Sequence, residues 1–355
     1  MKKKIILLSI SAILLFGALF LLEKLLMPKH VSGIVEGSLI ESYYNEKLKH
    51  DILFVGDCEV YENFSPVTLW ENYGYTSFIR GSAQQLIWQS YYLLEETFEY
   101  EKPDVVVFNV LAMKYDTPQK EAYNRMTLDG MAFSKSKLEA INASMLPEEH
   151  MIDYIFPFLR YHSRWSSLTK DDFQYMFSKK PLFHNGYYMR VDVKPVEYIP
   201  KKKKLSNYEF GEFSYKYLEM MTNLCKENGV ELVLIKSPTL YPVWYDEWDQ
   251  QMIDYAKDHN LMYFNFIDHI EEAGIDFNTD TYDAGLHLNI TGAEKMSLYF
   301  GEILKEQFDI IDRRNDPVYA EAWIEKSTFY YKMRDQQYHE LETYGEIMMY
   351  GEVVK

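Results

Sequence analysis

Short apolar runs separated by helical sequence constrain the fold of this chain more than any other feature. Ile52–Val55 before Gly56 and the interior of Asp104–Asn109 are entirely apolar. Such runs are typical of parallel strands buried on both faces. Glu231–Pro238 and Leu261–Phe266 repeat the pattern later in the chain. Their alternation with helical sequence predicts an α/β fold, a three-layer α/β/α sandwich around a doubly wound parallel sheet.

Helical periodicity predicts the connecting helices. The first covers residues 82–98, with Ser82 as its N-cap, because a serine side chain can accept a hydrogen bond from the first free backbone N–H groups. A second covers 213–228, where Gly229 provides a stop signal. Two more helices are predicted, one at about 246–258 and one from Thr291 to Glu306.

The N-terminus carries a candidate membrane anchor. Residues 5–22 are uncharged and mostly apolar, and a helix of that length crosses most of the roughly 30 Å bilayer core. Lys2–Lys4 precede it, so the positive-inside rule predicts a cytoplasmic N-terminus and an extracytoplasmic domain. The alternative is a cleaved signal peptide. Its apolar core would be shorter, about 7–15 residues, and no Ala-x-Ala cleavage site follows here, so an uncleaved anchor is favoured.

The sequence divides into segments of different character. We predict a lysine cluster and anchor at 1–27, a stalk at 28–48, one α/β domain at 49–312 and a helical C-terminal extension at 313–355. Within the domain, residues 117–205 break the strand–helix alternation and are rich in arginine and aromatic residues. They are predicted to form an insertion or cap.

Composition excludes several classes of function. The net charge of −17 disfavours nucleic-acid binding, because an acidic surface repels phosphates. Two cysteines, Cys58 and Cys225, cannot build a disulfide framework or a Cys₂His₂ metal site. Cys225 shares a helical face with Leu218 and Met221 and is expected to be a buried thiol. No ligand-spaced histidines and no phosphate-binding glycine loop occur, so neither a metal nor a nucleotide cofactor is expected.

Two distant segments carry candidate catalytic residues. Cys58 follows Gly56 and Asp57 in the turn after the first strand, while Asp283 and His287 lie on a loop before a helix. A thiol needs a base to become a nucleophile, and that histidine needs a carboxylate to fix its tautomer. These residues therefore predict an acyl-transfer site at the carboxyl edge of the sheet.

Together these segments resemble the SGNH hydrolase (GDSL-like esterase) superfamily over roughly residues 50–305. Its first block, a Gly-Asp-Ser turn, corresponds to Gly56–Cys58. Its second and third, a glycine and an asparagine of the oxyanion hole, correspond to Gly81 and Asn109. Its last, a C-terminal Asp and His, corresponds to Asp283 and His287. The resemblance implies an esterase in which the backbone amides at 58 and 81 and the Asn109 side chain bind the oxyanion.

The chain departs from the family pattern at two points. The nucleophile position holds Cys58 instead of serine, which leaves three interpretations open: a thiolate nucleophile, a site that only binds its ligand, or a core thiol with Ser82 or Ser65 as the nucleophile. The usual Asp-x-x-His spacing is longer by one residue. Asp280 is therefore an alternative partner of His287.

A second resemblance concerns the substrate. One anchor, an outward α/β domain and an aromatic insertion are similar to the DltD and AlgJ/AlgX-type proteins, which act with membrane-bound O-acyltransferases on cell-surface polymers. This resemblance implies an esterase or O-acyltransferase acting on O-acyl, chiefly acetyl, groups of a cell-envelope glycan. Arg160 and Trp165 of the insertion are candidate substrate-binding residues. The alternative is a non-catalytic protein that binds such a glycan or docks on a membrane acyltransferase.

Overall fold

A computed structural model describes residues 2–27, 38–177, 185–199 and 201–348. Parts of the predicted stalk (28–37), insertion (178–184 and 200) and C-terminal extension (349–355) lie outside these ranges. The strands are β1 Ile52–Gly56, β2 Ser77–Gly81, β3 Val105–Asn109, β4 Glu231–Lys236 and β5 Met262–Asn265. The helices are α1 Lys2–Leu26, α2 Ser38–Ser42, α3 Cys58–Tyr61, α4 Pro66–Tyr73, α5 Ile87–Tyr100, α6 Glu121–Leu128, α7 Lys135–Ser144, α8 Met151–Ile155, α9 Phe158–Tyr161, α10 Lys170–Phe177, α11 Glu212–Asn228, α12 Asp246–His259, α13 Ile290–Gln307 and α14 Pro317–Tyr344.

The five strands form one parallel sheet in the order β2-β1-β3-β4-β5. Alternate strand residues face two separate cores, because successive side chains of a strand point to opposite faces. Leu53 and Val55 pack with α5 and α11 on one face, while Ile52 and Phe54 pack with α13 and α14 on the other. This arrangement confirms the predicted three-layer α/β/α sandwich. It also places a topological switch point, where α/β proteins bind ligands, between β1 and β3.

The edge strand β2 was not predicted from the sequence. It pairs in parallel with β1 and contains Arg80, a charged residue at a fully buried position. The Arg80 guanidinium lies 2.9 Å from the Glu96 carboxylate and donates to the carbonyl of Leu93. The ion pair with Glu96 allows Arg80 to be buried. A charged residue in the middle of β2 interrupts the apolar run by which the other strands are recognised.

Most predicted helices are confirmed, with one wrong start. The helix predicted from Ser82 begins only at Ile87, in α5. Gln84 has a left-handed φ of 53°, and the Gln85 side chain folds back to donate to the carbonyl of Arg80. The segment between β2 and α5 is therefore a turn, and the Ser82 side chain does not cap the helix.

The predicted insertion contributes helices α6–α10. The last of these pack against the C-terminal end of α1. In the described part of the chain, α1 is the one helix long and apolar enough to cross a membrane, and a signal sequence would meet the same criteria.

The C-terminal stretch packs as part of the second core. In α14, Trp323 stacks on Trp70 of α4 with ring centroids 5.1 Å apart. Just before α14, the Arg313 guanidinium lies 2.6 Å from the carboxylate of Asp51, the residue that precedes β1. The predicted helix is present as α14, and it packs against α4 in the second core.

Candidate active site

The turn after β1 presents Cys58 at the carboxyl edge of the sheet. Gly56 has a φ of 151°, and a Cβ there would lie 3.1 Å from Cβ of Asn109, so the close turn requires glycine. The Asp57 side chain caps α3 by accepting a hydrogen bond from the backbone N–H of Glu59 at 3.2 Å. Cys58 is the first residue of α3 and is partly exposed.

His287 is held by Asp283 through two hydrogen bonds. The carboxylate lies 2.6 Å from Nδ1 of the imidazole and accepts from the backbone N–H of the same histidine at 2.8 Å. Asp280, the alternative acid, is fully buried, and its carboxylate lies 2.6 Å from Nζ of Lys295. The structure thus brings Asp283, rather than Asp280, to the imidazole.

Cys58 and His287 are electrostatic neighbours although the chain separates them widely. Burial raises the pKa of the Cys58 thiol, and the neighbouring imidazole pulls it back only in part. Burial opposes protonation of His287, but Glu62, Cys58 and Asp283 together raise its pKa well above the usual range. Within the described ranges, Nε2 of His287 is buried and has no hydrogen-bond partner. This nitrogen is therefore available to the thiol or to a reacting group.

A second carboxylate faces the same imidazole. Oε2 of Glu62 lies 3.5 Å from Nδ1 of His287, and the Tyr282 hydroxyl donates a hydrogen bond to that carboxylate. The Tyr282 ring is stacked on the imidazole at 15°, and the Arg190 guanidinium lies 4.2 Å from the centre of that tyrosine ring. Burial, chiefly, raises the pKa of Glu62. Two acids thus surround one histidine nitrogen.

The two predicted oxyanion-hole residues differ in availability. Gly81 lies beside the nucleophile turn, since a Cβ there would be 3.1 Å from the carbonyl oxygen of Gly56. The side-chain amide of Asn109 instead donates both hydrogens, at 2.9 Å each, to the carboxylates of Asp57 and Glu59. An amide has only two N–H donors, so Asn109 offers none to an oxyanion in this arrangement. Its role as an oxyanion donor stays a prediction.

Buried charges lie beneath Cys58. Glu59 and Lys236 are each fully buried, and their carboxylate oxygen and Nζ are 2.8 Å apart. Lys236 also donates to the hydroxyl of Thr239 at 3.0 Å. Burial and the charge of Glu59 raise the pKa of Asp57 to about 6. The nucleophile turn is thus built on a closed network of ion pairs and hydrogen bonds.

Two other groups of predicted residues lie elsewhere. Arg160 of α9 pairs with Glu121 at 2.8 Å, and Trp165 is 73% exposed. Both are on the segment that packs against α1, and no contact described by the structure joins them to Cys58 or His287. A substrate-binding role for them stays a prediction.

The two candidate serines are engaged in structural hydrogen bonds. The Ser65 hydroxyl caps α4 by accepting from the backbone N–H of Thr68. The Ser82 hydroxyl bonds to Thr127. Both residues are buried. Cys58 is the nucleophile candidate that this structure brings to His287.

Sequence reasoning missed Glu62, Glu59, Lys236 and Tyr282. Glu62 was open to prediction, because residues four apart share a helix face and Glu62 follows Cys58 at that spacing. Lys236 ends an apolar strand at the same sheet edge as Cys58, and a lysine there is a signal for a buried ion pair.

Comparison with known proteins gives little further information. No protein-family model matches the chain. No curated protein matches it either. Among solved structures, the chain is similar to one described as a "putative lipolytic protein of G-D-S-L family" from Desulfitobacterium hafniense DCB-2, with a TM-score of 0.36 and 12% identity over 72% of this chain and 100% of that chain. A likeness at this level carries no argument about activity.

Proposed function

We propose that this chain is a membrane-anchored, extracytoplasmic esterase or O-acyltransferase that acts through an acyl-Cys58 intermediate. The observation that supports it is the imidazole of His287, oriented at Nδ1 by Asp283 and unpartnered at Nε2 beside the thiol. This is the arrangement that a thiol nucleophile and its base require. The substrate class, O-acyl and chiefly acetyl groups of a cell-envelope glycan, rests on the resemblance in architecture alone. A membrane-bound O-acyltransferase is the proposed partner.

The proposed reaction proceeds in two steps. The pair Cys58–His287 first loses one proton, which leaves a thiolate beside an imidazolium. Sγ attacks the ester carbonyl carbon, and the carbonyl π electrons move to oxygen, where the backbone N–H groups at 58 and 81 are the proposed donors. The C–O bond then breaks, and the leaving alkoxide takes the proton from Nε2 of the imidazolium.

The second step regenerates the thiolate. His287 removes a proton from an acceptor hydroxyl, water for hydrolysis or a sugar for transfer, and that oxygen attacks the thioester carbon. The C–S bond breaks and the thiolate leaves with its electron pair. Asp283 stabilises the imidazolium throughout, because its carboxylate stays on Nδ1.

The test is turnover of a chromogenic acetyl ester by the full chain in detergent. We expect activity in the wild type and its loss in Cys58→Ala and in His287→Ala. Loss in the His287 variant alone would exclude the thiol as nucleophile. Full activity in His287→Ala would contradict the proposed chemistry. Because this assay contains no acyltransferase, a protein that works only with such a partner would be tested by adding membranes that contain it.

One observation favours a second candidate, a non-catalytic binding protein. Burial raises the pKa of the Cys58 thiol, which disfavours the thiolate. Glu62, acting against burial, raises the pKa of the His287 imidazole, which disfavours the neutral base. A protonated thiol is a poor nucleophile and an imidazolium is no base. Absence of turnover in both the wild type and Cys58→Ser would support this candidate, whereas turnover in either would show that His287 acts as a base.

A further inference from the structure

A group of exposed apolar side chains lies on the segment that packs against α1. In residues 151–177, Trp165 is 73% exposed and Phe177 77% exposed, and Ile152, Leu159 and Phe173 are also exposed. Several large apolar side chains exposed on one short segment point to an interaction surface. We call residues 151–177 the anchor-proximal segment.

The anchor-proximal segment is attached to the C-terminal end of α1. Helices α9 and α10 and the turn at 162–166 all contact α1. Nη1 of Arg164 donates to the carbonyl of Leu26, the last residue of α1, at 2.7 Å, and Nη2 lies 3.1 Å from the carboxylate of Asp172 in α10. An arginine at this position binds a carbonyl that the helix leaves unpaired. Arg164 therefore ties the end of α1 to α10.

The place where the anchor-proximal segment contacts α1 determines how deep in the bilayer that segment would lie. The residues of α1 that are covered by the rest of the chain lie near its end, where Leu26 is buried, whereas the long apolar stretch before it is exposed. If that stretch fills the bilayer core, the elements packed on its last turns lie at the bilayer–water interface. Aromatic side chains are enriched at that depth because they combine an apolar ring with tolerance of polar surroundings.

The charge of the anchor-proximal segment is compatible with a location at the bilayer–water interface. The whole chain carries −17, which repels anionic lipids, but residues 151–177 contain three basic and three acidic residues and are balanced. In α10, Phe173 and Phe177 are four residues apart and thus on one helix face. A short helix with one aromatic face and no net repulsion is suited to lie in the membrane interface.

We propose that the anchor-proximal segment inserts Trp165, Phe173 and Phe177 into the bilayer interface, so that the domain is held against the membrane by a second contact besides α1. This proposal rests on the proposed membrane anchoring. Two contacts fix the tilt of the domain, whereas a single helix followed by a linker would leave it free. The partner is the lipid bilayer.

The experiment uses the full chain in vesicles of phosphatidylcholine with or without bromine on the acyl chains, which quenches nearby tryptophans. Of the six tryptophans, Trp165 is the most exposed, and Trp70, Trp88, Trp244 and Trp323 are buried. We expect bromolipid to quench part of the emission of the wild type, and we expect that quenching to fall at least twofold in Trp165→Phe. Trp248→Phe, which removes a partly exposed tryptophan of α12, is the matched control and should keep the wild-type quenching.

The other outcomes separate the two proposals. Protein that floats with the vesicles but shows the same quenching in Trp165→Phe as in the wild type overturns the insertion while leaving α1 as an anchor. If aqueous acrylamide still quenches the emission of Trp165 in the vesicle-bound wild type, the insertion is likewise overturned while α1 remains an anchor. Protein that does not float at all overturns the anchoring, and with it the inference drawn from it.

Discussion

Replacing Glu62 with glutamine is the sharpest test of the charge arrangement around His287. Glu62 is 3% exposed, and its Oε2 lies 3.5 Å from Nδ1 of the imidazole. The substitution keeps the shape and a hydrogen-bonding partner for Tyr282, but it removes one negative charge. Because Cys58 and His287 titrate as a unit, we describe the effect of the substitution on the pKa values of the pair.

The sign follows from the charges. A nearby carboxylate stabilises the protonated imidazole and destabilises the thiolate, so it raises the pKa of both groups. Without it, the pair loses its first proton at lower pH. Glu62→Gln is therefore expected to make the site more reactive near neutral pH, whereas the loss of a catalytic carboxylate normally makes a site less reactive.

The distance sets the size of the effect. At 3.5 Å, Coulomb's law with an effective dielectric constant of about 20 gives about 5 kcal/mol as an upper limit. The net value of such a charged contact is smaller, and the range of about 1.5–3 kcal/mol that holds for hydrogen bonds to charged groups corresponds to roughly a 10- to 100-fold change in an equilibrium. Alkylation reports the thiolate, which the charge of Glu62 disfavours more weakly than it favours the imidazolium, so we expect the alkylation rate of Cys58 at pH 7 to rise by up to that factor.

Peptide-level mass spectrometry after iodoacetamide treatment between pH 6 and 9 measures this rate without a known substrate. Cys225 is an internal reference, since it is 1% exposed and burial raises its pKa to about 12. Glu294→Gln is the control variant, because Glu294 also accepts a tyrosine hydrogen bond, from Tyr330 at 2.9 Å, but has no described contact with His287. A rate that stays the same or falls in Glu62→Gln would refute the reasoning.

Three further predictions concern the turn and the network beneath it. Burial and Glu59 raise the folded pKa of Asp57 from 3.8 to about 6, so its contribution to stability is present below pH 4 and is lost as the pH rises through 6. Over that window, urea titrations should show the free energy of unfolding of the wild type falling by about 3 kcal/mol relative to Asp57→Asn; parallel curves would contradict this. Lys236→Met leaves the Glu59 carboxylate buried without its ion-pair partner and should lower the free energy of unfolding by about 3–5 kcal/mol. Lys202→Met, whose ion pair is exposed, is the control and should cost much less; equal losses would show that the buried pair is not needed. Gly81→Ala places a methyl group 3.1 Å from the carbonyl oxygen of Gly56 and should lower the free energy of unfolding by about 1–3 kcal/mol. If the Gly81 amide binds the oxyanion, the variant should also lose esterase activity under conditions in which it remains folded.

The fold was predictable where a strand is buried on both faces. In β3 and β4 every position between the ends is apolar, so the strands and the parallel sheet follow from the sequence. β2 was not predicted because Arg80 interrupts its apolar run, and the buried guanidinium is explained by contacts with later residues, chiefly Glu96 and the carbonyl of Leu93. Contacts between distant residues cannot be inferred from local periodicity.

The residues of the candidate site were predictable from the sequence, but the balance of charges around them was not. Cys58, Asp283 and His287 stand in recognisable local patterns, and the structure brings them together. The hydrogen bonds of Asn109 depend on how the end of β3 meets the turn after β1, and the proximity of Glu62 to the imidazole depends on how that turn meets the loop after β5. One sequence does not specify that geometry.

The contacts of α14 with α4 and of Arg313 with Asp51 have a consequence for when the candidate site forms. Asp51 and Trp70, which flank the nucleophile segment, find their partners Arg313 and Trp323 only near the end of the chain. Contacts so distant in sequence form late, since the intervening loop must close first. During synthesis, the scaffold around Cys58 is therefore incomplete until α14 has been made. A protein truncated before residue 313 is expected to lack a formed candidate site.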